Sequence, residues 1–215
     1  MLFSFDPLDP FPLLSNLEGS YEASKQHSYQ VDRFLGYRIP EIEHEIAGKK
    51  VPWAGLAPSI LLTPYSEIRW MLERLGPAPG SLLVELGSGY SRMAHVLHRH
   101  WPQVRYLGLE RVTQRLFEAE RLIRLRGLSQ AAVLGQDATD SSSLPEADLY
   151  FLYDLSPDPA VTKKTLLKLA CVARQRPIRV VGRGRATRTL IEREEPWLSG
   201  IHAPQHLGNF SIYRS

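Results

Sequence analysis

The stretch Leu82–Arg92 constrains this chain more than any other. It reads Leu-Leu-Val-Glu-Leu-Gly-Ser-Gly-Tyr-Ser-Arg. A short aliphatic run, carrying one carboxylate and closed by a two-glycine turn, describes a buried strand running straight into a tight bend. Glycine takes positive φ and presents bare backbone, so Gly87-Ser88-Gly89 lets a nucleotide-like ligand come close to the main chain. A second candidate strand, Val104–Leu109, ends in the same way on an acid, Glu110.

From residue 63 onward, strands and helices alternate. Thr63-Pro64 can cap and open a helix. Ile68, Met71, Leu72 and Leu75 continue it at helical spacing, and Gly76-Pro77 stops it. Strand Ser81–Leu86 leads to a helix from Ser91 to His100, and strand Val104–Leu109 to a helix from Gln114 to Arg126. A third strand is Ala131–Leu134. The polar linker Asp137–Pro145 precedes a fourth, Asp148–Tyr153. Helix Val161–Arg174, strand Ile178–Val181 and helix Ala186–Glu195 follow. Two last strands are expected around Ile201–Ala203 and Phe210–Tyr213, separated by a turn with Gly208-Asn209.

Alternation of this kind predicts a parallel sheet covered on both faces. The final connection, Pro204–Asn209, is shorter than the dozen or so residues a parallel crossover needs, so the last pair is expected to be antiparallel. The fold class read from the sequence is α/β: a Rossmann-like, doubly wound, mostly parallel seven-stranded sheet with an antiparallel last strand.

Residues 1–60 break this rhythm. Pro7, Pro10, Pro12, Pro40, Pro52 and Pro58 interrupt regular patterns, leaving room for short helices at Leu14–Lys25 and Tyr29–Leu35. Tyr21, Tyr29, Phe34 and Tyr37 offer aromatic surface to dock on a larger body. The expected organisation is an N-terminal cap, residues 1–60, on a ligand-binding domain, residues 61–215.

Composition removes several function classes. The single cysteine, Cys171, excludes an internal disulfide and a thiolate metal cluster, and its helical neighbours suggest a small core residue. No metal is expected: His95 and His98 can share a helix face, but no carboxylate or cysteine nearby completes a site. No apolar run approaches the ~20 residues of a membrane span, and the first residues lack a secretory pattern, so a cytoplasmic protein is expected. A net charge of +3 is weak evidence for an anionic partner. The basic run from Arg174 to Arg188 reads either as phosphate contacts or as a solvated sheet edge.

In an open α/β sheet, ligands bind beyond the carboxyl ends of the strands. Four polar ends fall there in order: Glu85 with Gly87-Ser88-Gly89, then Glu110, Asp137 and Asp154. Glu110 can accept hydrogen bonds from two ribose hydroxyls. Arg92 stands where a dinucleotide fingerprint needs Gly or Ala, and no P-loop lysine is present. Glu85, just before the turn, suits a positively charged ligand better than a pyrophosphate.

These residues resemble the class I S-adenosylmethionine-dependent methyltransferases. Val84-Glu85-Leu86-Gly87-Ser88-Gly89 is similar to their first motif, with Ser91 in place of its third glycine. The resemblance implies that Glu110 holds the ribose, that Asp137 approaches the adenine amino group, and that Tyr153-Asp154-Leu155-Ser156-Pro157 faces the reacting methyl. It covers about residues 60–215. Thr63-Pro64-Tyr65, taken with the glycine motif, is more closely similar to the seven-strand protein lysine methyltransferases, a group that includes the ATP-synthase c-subunit enzyme. The implied cofactor is S-adenosylmethionine, held by Thr63, Tyr65, Glu85, Gly87, Ser88, Gly89, Glu110, Asp137 and Asp154. The implied catalytic residues are Asp154, Tyr153 and, as a lid, Tyr65. The implied acceptor is a protein lysine. RNA, a small molecule, or cofactor binding without catalysis are the alternatives; Asp-Leu-Ser-Pro differs from the Asn-Pro-Pro-Tyr of amino-methylating nucleic-acid enzymes.

Overall fold

The computed structural model describes residues 5–13, 21–49, 61–140, 143–154, 156 and 158–215. Helices α1 (Tyr21–Leu35), α2 (Ile39–Ile46) and α3 (Tyr65–Leu75) precede strand β1 (Leu82–Leu86). Then come α4 (Arg92–His100), β2 (Arg105–Glu110), α5 (Thr113–Leu125), β3 (Ala131–Gly135) and β4 (Leu149–Leu152). The chain closes with α6 (Pro159–Ala173), β5 (Arg179–Arg183), α7 (Arg185–Glu194), α8 (Pro196–Ser199), β6 (Gln205–Leu207) and β7 (Phe210–Arg214). Among the described residues, no helix is long and apolar enough to cross a membrane.

The seven strands form one sheet in the order β3-β2-β1-β4-β5-β7-β6. Neighbours from β3 to β5 pair in parallel. β7 runs antiparallel to both β5 and β6; the short last connection requires this of the β6–β7 pair. The strand order reverses between β1 and β4, which opens a crevice at their carboxyl ends.

Strand parity divides the core. Leu83, Tyr106, Leu149, Phe151 and Val181 face α3, α4 and α5. Val84, Leu86, Tyr150, Leu152 and Val180 face α6, α7 and α8. Glu85 has the parity of Leu83 and is buried among the first set.

Helices α1 and α2 lie against α3 and α5. Val31, Leu35, Tyr37, Ile39 and Ile42 join the same core as the sheet. Of the four expected docking aromatics, only Tyr37 is buried: its hydroxyl donates to the Tyr90 carbonyl at 2.8 Å, and its ring meets His95 edge-on. Tyr21, Tyr29 and Phe34 remain exposed. Burial lowers the His95 pKa to about 3, so this histidine is a neutral packing group.

Several local expectations shift. Tyr29–Leu35 is the end of one continuous helix, Tyr21–Leu35, and residues 14–20 of the other expected helix lie outside the described residues. Pro40 opens α2 instead of interrupting it, because a first-turn N–H has no partner to lose. α3 begins one residue later than expected; Pro64 is its N-cap, and no side chain caps it. β6 is Gln205–Leu207, not Ile201–Ala203. The two-residue Gly208-Asn209 turn fixes which residues can reach Phe210–Ile212, and Ile201 is 68% exposed. Cys171 is exposed on α6, because the core-facing positions are Leu166, Leu169 and Val172.

Candidate active site

A cavity of about 350 Å³ opens at the strand reversal. The turn after β1 contributes Gly87 to Tyr90, the end of β2 contributes Leu109 to Val112, and the segment after β3 contributes Gln136 to Thr139. Tyr153, Asp154 and Ser156 follow β4, Arg183 ends β5, and Leu61 to Thr63 with Ile68 close the front. Every site residue expected from the sequence lines this cavity except Tyr65.

The glycine turn and Glu110 are built as one unit. Gly87 (φ 75°) and Gly89 (φ 54°) take the left-handed conformations the turn needs. The Leu109 carbonyl accepts from the Gly87 and Ser88 amides, both at 2.9 Å. Glu110 then accepts from the Gly89 amide through one oxygen and from the Val112 amide through the other, each at 2.7 Å. Burial raises its pKa, and those amides oppose the rise. A carboxylate has about four lone-pair sites, so the amides leave acceptor capacity for a ligand hydroxyl. Opposite Glu85, Gly108 leaves room that a side chain would fill: a Cβ there would lie 2.6 Å from the Ser88 hydroxyl and 2.9 Å from the Tyr106 hydroxyl.

Ser91, standing for the third glycine, has φ 57° without a side-chain cap bond. It occupies the N-cap position of α4 but does not cap through its hydroxyl, because the backbone there continues the turn.

Glu85 sits on the cavity floor. Its carboxylate accepts from the Tyr106 hydroxyl and is hydrogen-bonded by the Tyr153 phenol. Burial pushes its pKa up to about 7, against the effect of the two phenols. Tyr153 is itself held well above its ordinary value, first by burial and then by Glu85.

Asp137 binds Arg111 at 2.6 Å and accepts from the Thr139 amide and hydroxyl at 2.8 and 2.7 Å. Burial would raise its pKa, but these partners hold it below the usual range. Asp154 reaches across to another element. One of its oxygens accepts from the Thr187 amide and hydroxyl, at 3.1 and 2.6 Å, and so tethers the first turn of α7.

Tyr65 points away from the cavity into the seam with α1. Its hydroxyl donates to Asp32 at 2.9 Å, its amide donates to the Ser28 hydroxyl, and its ring packs on Phe11. It opens α3 on the face that α1 covers, so it cannot form the expected lid.

The side chains that sequence reasoning missed are mostly arginines. Arg92, Arg111, Arg115 and Arg183 line the cavity, and each is tied to a carboxylate. Arg92 pairs with Asp32, donates to the Thr63 carbonyl at 3.0 Å and lies over the Tyr65 ring. Arg115 binds Glu43 through two hydrogen bonds, and Arg183 binds Glu67 at 2.9 Å. Among the described residues Glu85, Glu110 and Asp154 form no ion pair with an arginine, although Arg115 favours the charged form of Glu110; with the carboxylates behind the wall counted, the site is acidic on balance. Most of the basic run is spent internally. Arg176 binds Asp148, Arg179 the Leu75 carbonyl, Arg183 Glu67, and Arg188 the Gly208 and Phe210 carbonyls.

No protein-family model matches the sequence, and no curated protein is similar enough to count as a relative. Solved structures are similar. An RNA methyltransferase from Salinibacter ruber, in complex with S-adenosyl-L-homocysteine, has a TM-score of 0.52 at 21% identity over 71% of this chain and 91% of its own. The C-terminal domain of precorrin-6Y C5,15-methyltransferase from Rhodobacter capsulatus gives 0.51 at 19% identity, over 72% and 90%. A SAM-dependent methyltransferase from Aquifex aeolicus gives 0.54 at 13% identity, over 81% and 97%. At such identities the likeness is one of fold, and the fold of this chain is that of the class I S-adenosylmethionine-dependent methyltransferases.

Proposed function

We propose that the protein is an S-adenosylmethionine-dependent methyltransferase acting on a protein lysine. The observation that carries the first half is Glu110: a buried carboxylate at the strand reversal, locked by the Gly89 and Val112 amides, with oxygen lone pairs left over. Ribose hydroxyls suit those lone pairs. Leu109, Val112 and Ala138 give the apolar surface an adenine needs, with Asp137 at its edge. Gly87, Ser88 and Gly89 admit the methionine end, Thr63 closes the front, and the uncompensated carboxylates suit a sulfonium. The bound donor supplies a methyl carbon already attached to a good leaving group.

The remaining work falls to the chain. Tyr153 and Asp154, beyond β4, are positioned to orient the acceptor. A lysine ammonium must lose a proton before it can act as a nucleophile. Asp154 has an oxygen not engaged by Thr187, and Glu85, with its pKa near 7, reaches the same end through Tyr153. The acidic wall favours a cationic acceptor, and the internally held arginines leave less positive charge for phosphates. The likeness to the Salinibacter ruber RNA methyltransferase is what favours the second reading, an RNA acceptor.

The test is transfer of a labelled methyl group from S-adenosylmethionine to protein extract and to RNA in parallel. Label in protein lysine is the expected result. Label only in RNA overturns the acceptor, and no binding of donor or demethylated product in calorimetry overturns the whole reading.

A further inference from the structure

Three of the four carboxylates that hold the cavity arginines stand behind the wall and do not line it. Two of these three, Asp32 and Glu43, come from α1 and α2, outside the part of the chain that resembles the methyltransferases. Asp32 meets Arg92 and Glu43 meets Arg115, with all four side chains less than one-tenth exposed. Glu43 also accepts from the Tyr90 hydroxyl at 2.7 Å, and Tyr90 directly follows the glycine that binds Glu110. The N-terminal layer therefore decides how much positive charge two wall arginines present.

We infer that Asp32 and Glu43 are specificity-determining positioning residues: by neutralising Arg92 and Arg115 from behind, they keep the cavity receptive to a cation. This rests on the methyl-donor reading, in which the donor is a sulfonium and its demethylated product has a neutral thioether sulfur and differs only by the lost methyl. Removing either carboxylate adds one net positive charge at the wall, which repels the first and leaves the second almost untouched. Without Asp32 and Glu43 the same wall favours anions, since its arginine forks match carboxylates and phosphates.

Calorimetry of the full chain with S-adenosylmethionine and with S-adenosylhomocysteine tests this. In Asp32→Asn and Glu43→Gln, affinity for the sulfonium relative to the thioether should fall on the order of tenfold, the scale of one added charge at protein dielectric. Loosened packing alone weakens both ligands alike, so an unchanged ratio in these variants overturns the inference. Should the single variants not fold, Asp32→Asn with Arg92→Met, and Glu43→Gln with Arg115→Met, remove each pair whole. The ratio should then stay at its wild-type value, and a shifted ratio overturns the inference. Wild-type protein that binds neither ligand marks the distinct failure of the methyl-donor reading, and the inference falls with it.

Discussion

Glu43 and Arg115 form a two-point ion pair, at 2.8 and 3.0 Å, between an N-terminal helix and the helix after β2. Both side chains are nearly out of solvent. Such a pair adds little net stability over apolar residues of the same size, but half of it is costly to keep. Glu43→Ala should therefore destabilise the protein by about 3–5 kcal/mol in urea unfolding. Removing Arg115 as well should recover most of that loss; a double variant no better than the single one contradicts the pairing.

Glu110→Ala should weaken binding of S-adenosylhomocysteine at least about tenfold, since it removes a charged acceptor and strands the Gly89 and Val112 amides (about 1–3 kcal/mol each). Glu110→Gln, which keeps one acceptor oxygen, should fall between. Calorimetric affinity unchanged in Glu110→Ala would remove Glu110 from the ligand site.

Ser91 is the one non-glycine residue with positive φ among those described. Left-handed backbone costs an L-residue roughly 1–2 kcal/mol, part of which glycine gives back through its freer unfolded state. Ser91→Gly, restoring the third glycine of the motif, should stabilise by up to about 1 kcal/mol. A lower unfolding midpoint would show that the serine hydroxyl makes up for the strain.

Glu85 contributes stability that falls as pH rises from 4.5 to about 7, while the buried, neutral His95 contributes in the opposite direction. The folded pKa of Glu85, about 7, lies above the usual 4.5, so the folded state holds the extra proton between these values. The favourable contribution is complete below pH 4.5 and is lost as pH rises through about 7; the full difference is about 3 kcal/mol. In urea unfolding, the stability of wild type relative to Glu85→Gln should fall across this window, and a constant difference between the two contradicts the raised pKa.

Gly184 has φ 101°, and a Cβ there would lie 2.6 Å from the carboxyl carbon of Asp154. Gly184→Ala should push Asp154 off the Thr187 amide and lower methyl transfer more than donor affinity. Equal losses in both would place Asp154 on the donor side of the cavity.

The sequence carried the layered α/β order, because hydrophobic period and glycine turns are local signals. It also placed Glu85, Glu110, Asp137 and Asp154 at strand ends, since the site of an open sheet follows from where strands stop. The antiparallel β7 was legible from one short connection. Tertiary structure alone decided what surrounds those acids. Tyr65 looked like a lid from its place at the start of α3, yet α1 covers that face and Asp32 accepts from its hydroxyl. Arg92 read as a missing glycine and is a buried clamp on the N-terminal layer. The basic run left phosphate contacts and a solvated sheet edge both open, and its partners come from Asp148 before β4, from α3 and from the last hairpin. Glu43 lies 72 positions from Arg115, and neither carries a local pattern that names the other. Periodicity records which face of an element is buried. It does not record which charge from a distant element meets that face, and here that pairing sets the electrostatics of the site.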